Sequence, residues 1–266
     1  MILRVCTFVF FFLLALISES QTVKKIKELR TPVIRNVSVD RLGNFFLAFD
    51  GRITKYNPDG KVMATLKTKN PTLLEPWFHP KIFIYYQAGE RLVNYNHNFE
   101  VSDEFKLNPS IAIEPLLVCP TNDNKFLVLD AADFSVKKFD VYSNSVMNEF
   151  VIDTTRIGAK PAIVFMREYL HFIFLLDKNH GIVVLNELGK VMKIIPHRVE
   201  NFGFFGEELF YTRPDAIVFW DIYSNHTREL PLTTEKFLLV TDERIIVARE
   251  KGVTLYEFHP DKPDDQ

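Results

Sequence analysis

The stretch FDVYSN at positions 139–144 recurs almost unchanged as WDIYSN at positions 220–225. Each copy joins an aromatic residue to an aspartate and continues into Ser-Asn, a pair that favours a turn. In each copy the aromatic residue ends a short run that favours β-structure, so the motif predicts the end of a β-strand and the turn after it. Near-identity at two separate places indicates duplication of one structural unit.

The motif belongs to a set of six repeats. An apolar residue, usually aromatic, is followed by Asn, Asp or Glu at Tyr56-Asn57, Tyr95-Asn96, Phe139-Asp140, Leu185-Asn186, Trp220-Asp221 and Tyr256-Glu257. These junctions recur at an average interval of 40 residues, which is the length of one blade of a β-propeller.

Each repeat also contains a strongly apolar run ahead of its junction, at 45–49, 82–86, 126–129, 172–176, 209–211 and 245–248. The runs are short and rich in β-branched and aromatic residues, which is typical of strands buried on both faces. A further strand precedes each run, as at 37–39 and 237–240, and an outer strand follows each turn, as at 61–66. Four strands in each of six units predict an all-β fold, a six-bladed β-propeller with four-stranded blades.

The two ends of the chain complement each other in this arrangement. The last unit begins at residue 236 and supplies three strands before the polar tail at 261–266, whereas the first unit is preceded by an additional strand at 22–29. Pairing the N-terminal strand with the last blade would remove two free sheet edges. We therefore expect the N-terminal strand to complete the last blade and close the ring.

The first 20 residues have the pattern of a secretory signal peptide. A basic start is followed by a short apolar core and by Ser18-Glu19-Ser20, which places small residues before an expected cleavage point. The mature chain, residues 21–266, is then expected to form a single propeller domain that is secreted or periplasmic, with no membrane span after signal cleavage. Its one cysteine, Cys119, lies in an apolar run and is expected to be a small buried residue.

Composition limits the classes of partner. The chain has 47% hydrophobic and 25% charged residues and a net charge of −2, values typical of a globular protein and unfavourable for nucleic-acid binding. Two Asn-x-Ser/Thr sequons, at Asn36 and Asn225, matter only in a host that glycosylates exported proteins.

The repeat period, the aromatic-Asp/Asn junctions and the offset ring closure resemble those of six-bladed propellers of the NHL-repeat and TolB-like type, over essentially the whole mature chain. The Trp-Asp pair of WD40 repeats occurs only at Trp220-Asp221, and the Asn-His-Leu signature of NHL repeats is absent. The resemblance implies a propeller of a kind that includes exported binding proteins, signalling ectodomains and metal-dependent lactonases. It does not decide among these functions.

Motif searches find no phosphate-binding glycine loop, nucleophile elbow, zinc motif or EF-hand. Charged residues placed where inner strands are expected to begin form a candidate ring around the channel, at Arg35, Glu75, Glu114, Lys160, Glu200 and Glu235. Two of the acids share a Glu-Pro context. The carboxylates of Glu75, Glu114 and Glu200 could together hold Ca²⁺; alternatively, the ring is a solvated channel mouth in which Arg35 and Lys160 neutralise the acids.

The segment Trp77-Phe78-His79-Pro80 is a candidate partner-binding loop, because large aromatic residues beside proline can anchor a partner. The alternative is that Trp77 is buried between blades. With Arg35 and Lys160, Trp77 and His79 are the candidate binding residues.

These observations favour an exported non-enzymatic propeller, needing no cofactor, that acts as a scaffold for another exported protein or an envelope component. The alternative is a calcium-dependent lactonase or hydrolase that uses the channel carboxylates.

Overall fold

The computed structural model describes residues 23–78, 80–158 and 161–259. The predicted signal peptide, His79 and Lys160 lie outside the described residues. The described chain forms six antiparallel sheets of four strands, arranged as a six-bladed β-propeller. The fold class predicted from the repeats is confirmed.

The first half of the described chain contains β1 (Lys24–Arg30), β2 (Asn36–Val39), β3 (Phe45–Phe49), β4 (Arg52–Tyr56), β5 (Val62–Lys67), β6 (Leu73–Glu75), β7 (Ile82–Tyr86), β8 (Arg91–Tyr95), β9 (Val101–Lys106), β10 (Pro115–Pro120), β11 (Phe126–Asp130), β12 (Ser135–Asp140) and β13 (Ser145–Val151). The second half contains α1 (Thr154–Ile157), β14 (Ile163–Tyr169), β15 (Phe172–Asp177), β16 (Gly181–Asn186), β17 (Val191–Ile195), β18 (Gly203–Phe205), β19 (Glu208–Thr212), β20 (Ala216–Asp221), β21 (Thr227–Pro231), β22 (Phe237–Val240), β23 (Arg244–Arg249) and β24 (Gly252–Glu257). No helix within the described ranges is long and apolar enough to cross a membrane.

The blades follow the chain in order. Blades 1 to 5 have the strand orders β2-β3-β4-β5, β6-β7-β8-β9, β10-β11-β12-β13, β14-β15-β16-β17 and β18-β19-β20-β21, and blade 6 has the order β22-β23-β24-β1. Second strands such as β3, β7 and β11 are buried at every position, whereas outer strands such as β5 and β9 are mostly exposed. Burial therefore falls from the centre of each blade to its rim.

The N-terminal strand closes the ring as expected. Strand β1 pairs antiparallel with β24, from Lys24 opposite Glu257 to Arg30 opposite Gly252. Leu29 of β1 packs against the cluster that contains Leu255 and joins blade 6 to blade 1. The closing strand thus provides both ladder hydrogen bonds and an apolar contact, although most of its side chains are exposed.

At the first five repeat junctions, the acid or amide shapes the turn between the third and fourth strands. The Asn96 side chain accepts hydrogen bonds from the backbone N–H groups of Asn98 and Glu100, at 2.9 and 3.0 Å. The junction residues of repeats 1, 3, 4 and 5 also accept hydrogen bonds from backbone N–H groups of their turns; they are Asn57, Asp140, Asn186 and Asp221. These bonds satisfy turn backbone groups that no ladder reaches.

A second acid, which the sequence analysis did not single out, lies at the end of the second strand. Asp130 accepts hydrogen bonds from the backbone N–H groups of Ile113 and Glu114, just before the inner strand β10. Asp177 accepts a bond from the N–H of Ala162 in the next blade. Both carboxylates therefore position the start of an inner strand beside the channel.

Candidate functional site

The inner strands β2, β6, β10, β14, β18 and β22 occupy the same place in their blades and surround a central channel. We use "start face" for the side of the ring where these strands begin. The opposite side, where they end and where the turns after Asn57 and its counterparts lie, is the "turn face". The candidate functional residues divide between these two faces and the channel wall.

A buried ion pair crosses the channel between blades 2 and 4. Arg167 donates from Nε to Glu75 Oε2 at 2.5 Å and from Nη2 to Glu75 Oε1 at 2.9 Å. The backbone N–H of Trp77 donates a third bond to Oε1, at 3.0 Å. The Glu75 side chain is 0% exposed and that of Arg167 is 6% exposed, so each charge depends on the other for compensation.

The cross-strand register shows that Glu75 was placed wrongly in the predicted ring. Glu75 lies opposite Phe83, as Cys119 lies opposite Leu127 in the next blade. The residue before Phe83, Ile82, lies opposite the junction residue Tyr95, and the residue before Leu127, Phe126, lies opposite the junction residue Phe139. Glu75 is therefore the counterpart of Cys119 within the channel wall, and the shared Glu-Pro dipeptide does not make it equivalent to Glu114.

The other predicted channel acids lie at the start face. Glu114 and Glu200 are exposed, directly or shortly before their inner strands. No group of three or more His, Cys, Asp or Glu side chains within the described ranges is arranged to hold a metal ion. Among the described residues, the structure thus does not bring Glu75, Glu114 and Glu200 together.

Arg35 lies at the start face and is exposed. Its guanidinium binds Asp50 through two hydrogen bonds of 2.9 and 2.8 Å. The side-chain hydrogen bond from Arg35 holds the pKa of Asp50 below its usual value. Arg35 therefore contributes a compensated charge to the channel mouth.

Trp77 separates two cavities in the channel. Its ring lies edge-on to Tyr169, with centroids 5.9 Å apart, and the guanidinium carbons of Arg41 and Arg167 lie 5.4 and 6.0 Å from the ring centroid. Its indole N–H is buried and has no hydrogen-bond partner among the described residues. Trp77 is only partly buried, so it is a wall of the channel and not an inter-blade core residue.

The "channel cavity" opens toward the start face and has a volume of about 160 Å³. Its walls are mainly aromatic and aliphatic, and come from blades 1, 4, 5 and 6 together with Trp77 from the loop after β6 in blade 2. They include Phe165, Phe202, Phe204, Phe210 and Phe237. Its polar lining includes Arg35, Ser38, Lys178 and Glu200.

The "turn-face groove" lies on the other side of Trp77 and has a volume of about 410 Å³. The loop after β2 supplies Arg41 and Leu42 to its lining, and the neighbouring loop after β22 supplies Asp242 and Glu243. Arg41 is exposed and lies over the rings of Trp77 and Phe78, at 5.4 and 5.8 Å. Leu42 is 61% exposed.

Cys119 lies on blade 3, in the same layer of the channel wall as Glu75. It is a buried free thiol. Burial raises its pKa, and the nearby carboxylates of Glu75 and Glu168 raise it further. A thiol held in its protonated form is a poor nucleophile, which agrees with the expected role of a small buried residue.

Arg167 and Arg41, two residues central to these cavities, did not emerge from the sequence analysis. Arg167 had a detectable signal, because it is a charged residue within the apolar run of an inner strand. Arg41 had none, because it resembles any exposed turn arginine until its contact with Trp77 is known.

No protein-family model matches the chain, and no curated protein sequence matches it. Among solved structures, virginiamycin B lyase from Staphylococcus aureus is similar at 14% identity with a TM-score of 0.56, over 87% of this chain and 98% of the lyase chain. The β-propeller domain of Cps50 (Swd1) from Myceliophteria thermophila is similar at 10% identity with a TM-score of 0.60, over 89% and 100% of the two chains. The extracellular domain of the hybrid two-component system BT4673 from B. thetaiotaomicron is similar at 12% identity with a TM-score of 0.52, over 85% of this chain and 34% of that chain. These likenesses establish the propeller fold alone.

Proposed function

We propose that this protein is an exported, non-enzymatic scaffold that docks a segment of another exported protein or envelope component in the turn-face groove. The segment presents a carboxylate beside an apolar side chain. The observation that carries the proposal is Arg41, an exposed arginine that lies over two aromatic rings and makes no ion pair within the described part of the chain.

The lining of the groove supports a carboxylate as the matching group. A guanidinium recognises a carboxylate through paired hydrogen bonds, and its position over Trp77 and Phe78 limits its freedom before binding. Leu42, beside it, offers an exposed apolar contact. Asp242 and Glu243, from the neighbouring loop, also line the groove, so the segment that fits places its carboxylate against Arg41 and no acid against these two residues.

The features of the channel support binding more than catalysis. Glu75 is held by Arg167 and the backbone of Trp77, and Cys119 is a buried thiol with a raised pKa. A calcium-dependent hydrolase, the alternative expected from the sequence, has less support because Glu114 and Glu200 lie at the start face, apart from Glu75. The proposed export rests on the signal-peptide pattern of residues 1–20.

Selection of peptides on the purified protein tests this proposal. A random linear library should yield peptides with Asp, Glu or a free C-terminal carboxylate next to a large apolar residue. Arg41→Ala should weaken their binding about five- to tenfold, the loss of one charge-assisted contact. Arg30→Ala is the matched control, because Arg30 is an exposed arginine at the start face, on the outer strand of blade 6; this variant should change nothing.

Two outcomes would overturn the proposed site. One is a selection that shows no preference for carboxylates. The other is binding that Arg41→Ala and Arg30→Ala weaken equally.

A further inference from the structure

The channel cavity is a separate space from the turn-face groove and accepts a different class of ligand. Its volume of about 160 Å³ is roughly ten times the ~10–15 Å³ that one water needs. A space of this size suits a small molecule. It is too small for a folded partner or a long peptide.

The rim of the channel cavity offers one uncompensated charge of each sign. Lys178 and Glu200 are exposed residues of this rim, and neither makes an ion pair within the described ranges. Arg35, the third charged residue of the rim, is already bound to Asp50. The rim therefore suits a ligand head that carries both a carboxylate and an ammonium group.

The deep wall of the cavity contains an unused hydroxyl. Ser38, in the inner strand β2, is 5% exposed and lines the cavity. Its hydroxyl makes no hydrogen bond to any described residue and is open to the cavity, because it is not among the fully enclosed side-chain groups that lack a partner. A ligand that ends in a hydroxyl would supply that partner.

The walls between the rim and Ser38 are suited to an aromatic body. Phe165, Phe202 and Phe204 line the cavity and pack edge-to-face with one another, with Phe165 and Phe202 centroids 5.4 Å apart and Phe202 and Phe204 centroids 5.8 Å apart. Aromatic rings that present their edges and faces in this way favour a further ring.

We infer that the channel cavity binds a compact zwitterion with an aromatic body and a hydroxyl at its far end, the chemistry of a free phenolic amino acid. Ser38 lies three residues along the strand from Arg35 at the rim, a depth of about 10 Å at ~3.3 Å per residue. That depth matches a phenol ring joined to a three-atom amino-acid head. In this arrangement Glu200 meets the ammonium, Lys178 meets the carboxylate and Ser38 meets the phenol.

Calorimetric titration of the unaltered protein with four probes tests the inference without any variant. L-Tyrosine should bind. L-Phenylalanine, which lacks the hydroxyl, should bind about fivefold more weakly. Tyramine, which lacks the carboxylate, and 3-(4-hydroxyphenyl)propionate, which lacks the ammonium, should each bind about two- to fivefold more weakly, because the rim charges are exposed.

Two variants assign each contact. Ser38→Ala should make tyrosine and phenylalanine bind equally. Glu200→Gln should remove the advantage of tyrosine over 3-(4-hydroxyphenyl)propionate. Glu235→Gln is the matched control, because Glu235 is an exposed acid paired with Arg249 at 3.4 Å and is not part of the cavity lining.

The inference is overturned if tyrosine does not bind at millimolar concentration. It is also overturned if phenylalanine binds as well as tyrosine to the unaltered protein, or if Glu200→Gln and Glu235→Gln act alike. Because the groove lies on the other side of Trp77, Arg41→Ala should leave tyrosine binding unchanged. Failure of this inference is therefore distinct from failure of the peptide-docking proposal.

Discussion

Replacing Arg167 by methionine should destabilise the propeller more than any exposed charge substitution. The change removes the partner of Glu75, whose side chain is 0% exposed, and leaves only the backbone N–H of Trp77 bonded to its carboxylate. Removal of one member of a buried ion pair costs about 3–5 kcal/mol, because the remaining charge is buried without compensation. For a protein of this size, that loss lowers Tm by about 6–20 °C.

Equilibrium unfolding in urea, followed by far-UV circular dichroism, measures this loss. The matched control is Arg91→Met, which breaks the ion pair with Glu104 at 2.6 Å, where both side chains are nearly half exposed. Exposed pairs contribute about 0–1 kcal/mol, so this control should remain close to the unaltered protein. The double variant Glu75→Leu/Arg167→Met removes both buried charges and should recover most of the loss.

A loss from Arg167→Met no larger than that from Arg91→Met would contradict this prediction. A double variant as unstable as Arg167→Met alone would also contradict it. Either result would mean that the pair across the channel is not a compensated buried charge pair.

Other predictions concern the strand junctions, the ring closure and the channel. Burial raises the pKa of Asp130, but hydrogen bonds from backbone N–H groups and from Lys137 outweigh this effect and lower the pKa from 3.8 to about 2. The stability that this carboxylate provides is therefore present above pH 4 and is lost as the pH falls toward 2. Asp130→Asn should remove about 2 kcal/mol of the loss of stability that unfolding titrations show between pH 5 and pH 2. Asn96→Ala should lower the free energy of unfolding by about 1 kcal/mol, because two turn N–H groups lose their acceptor. Glu257 makes only an exposed contact with His259, so Glu257→Ala should lower it by less than about 0.5 kcal/mol in the same unfolding assay. Deleting residues 21–30 should expose the edge of β24, lower Tm and cause self-association detectable by light scattering; a monomer of unchanged Tm would contradict the role of β1. Calcium should leave Tm unchanged in a thermal-shift assay, and stoichiometric calcium with a raised Tm would instead support the hydrolase alternative.

The strands were predictable because their signal is local and repeated. The runs at 45–49 and 82–86 coincide with β3 and β7, because a second strand buried on both faces must be apolar at consecutive positions. The turn after Asn96 was likewise predictable, because the side chain forms its bonds within four residues. Ring closure followed from a surplus strand at one end and a missing strand at the other.

The channel was not predictable in the same way, because its contacts join distant parts of the chain. Glu75 and Arg167 are separated by 92 residues, and nothing local identifies them as partners. The repeated Glu-Pro dipeptide was misleading because Pro115 begins the inner strand β10, whereas Pro76 follows the end of β6. A dipeptide does not show where its residues lie along a strand, and only the cross-strand register supplies that position.

The most direct test of the docking proposal measures the coupling between Arg41 and the carboxylate of a bound peptide. Fluorescence anisotropy would compare a selected peptide with its carboxamide form on the unaltered protein and on Arg41→Ala. Loss of the carboxylate should weaken binding about five- to tenfold on the unaltered protein and should have no effect on Arg41→Ala. Equal weakening on both proteins would contradict the proposal, because the carboxylate would then be recognised somewhere other than Arg41.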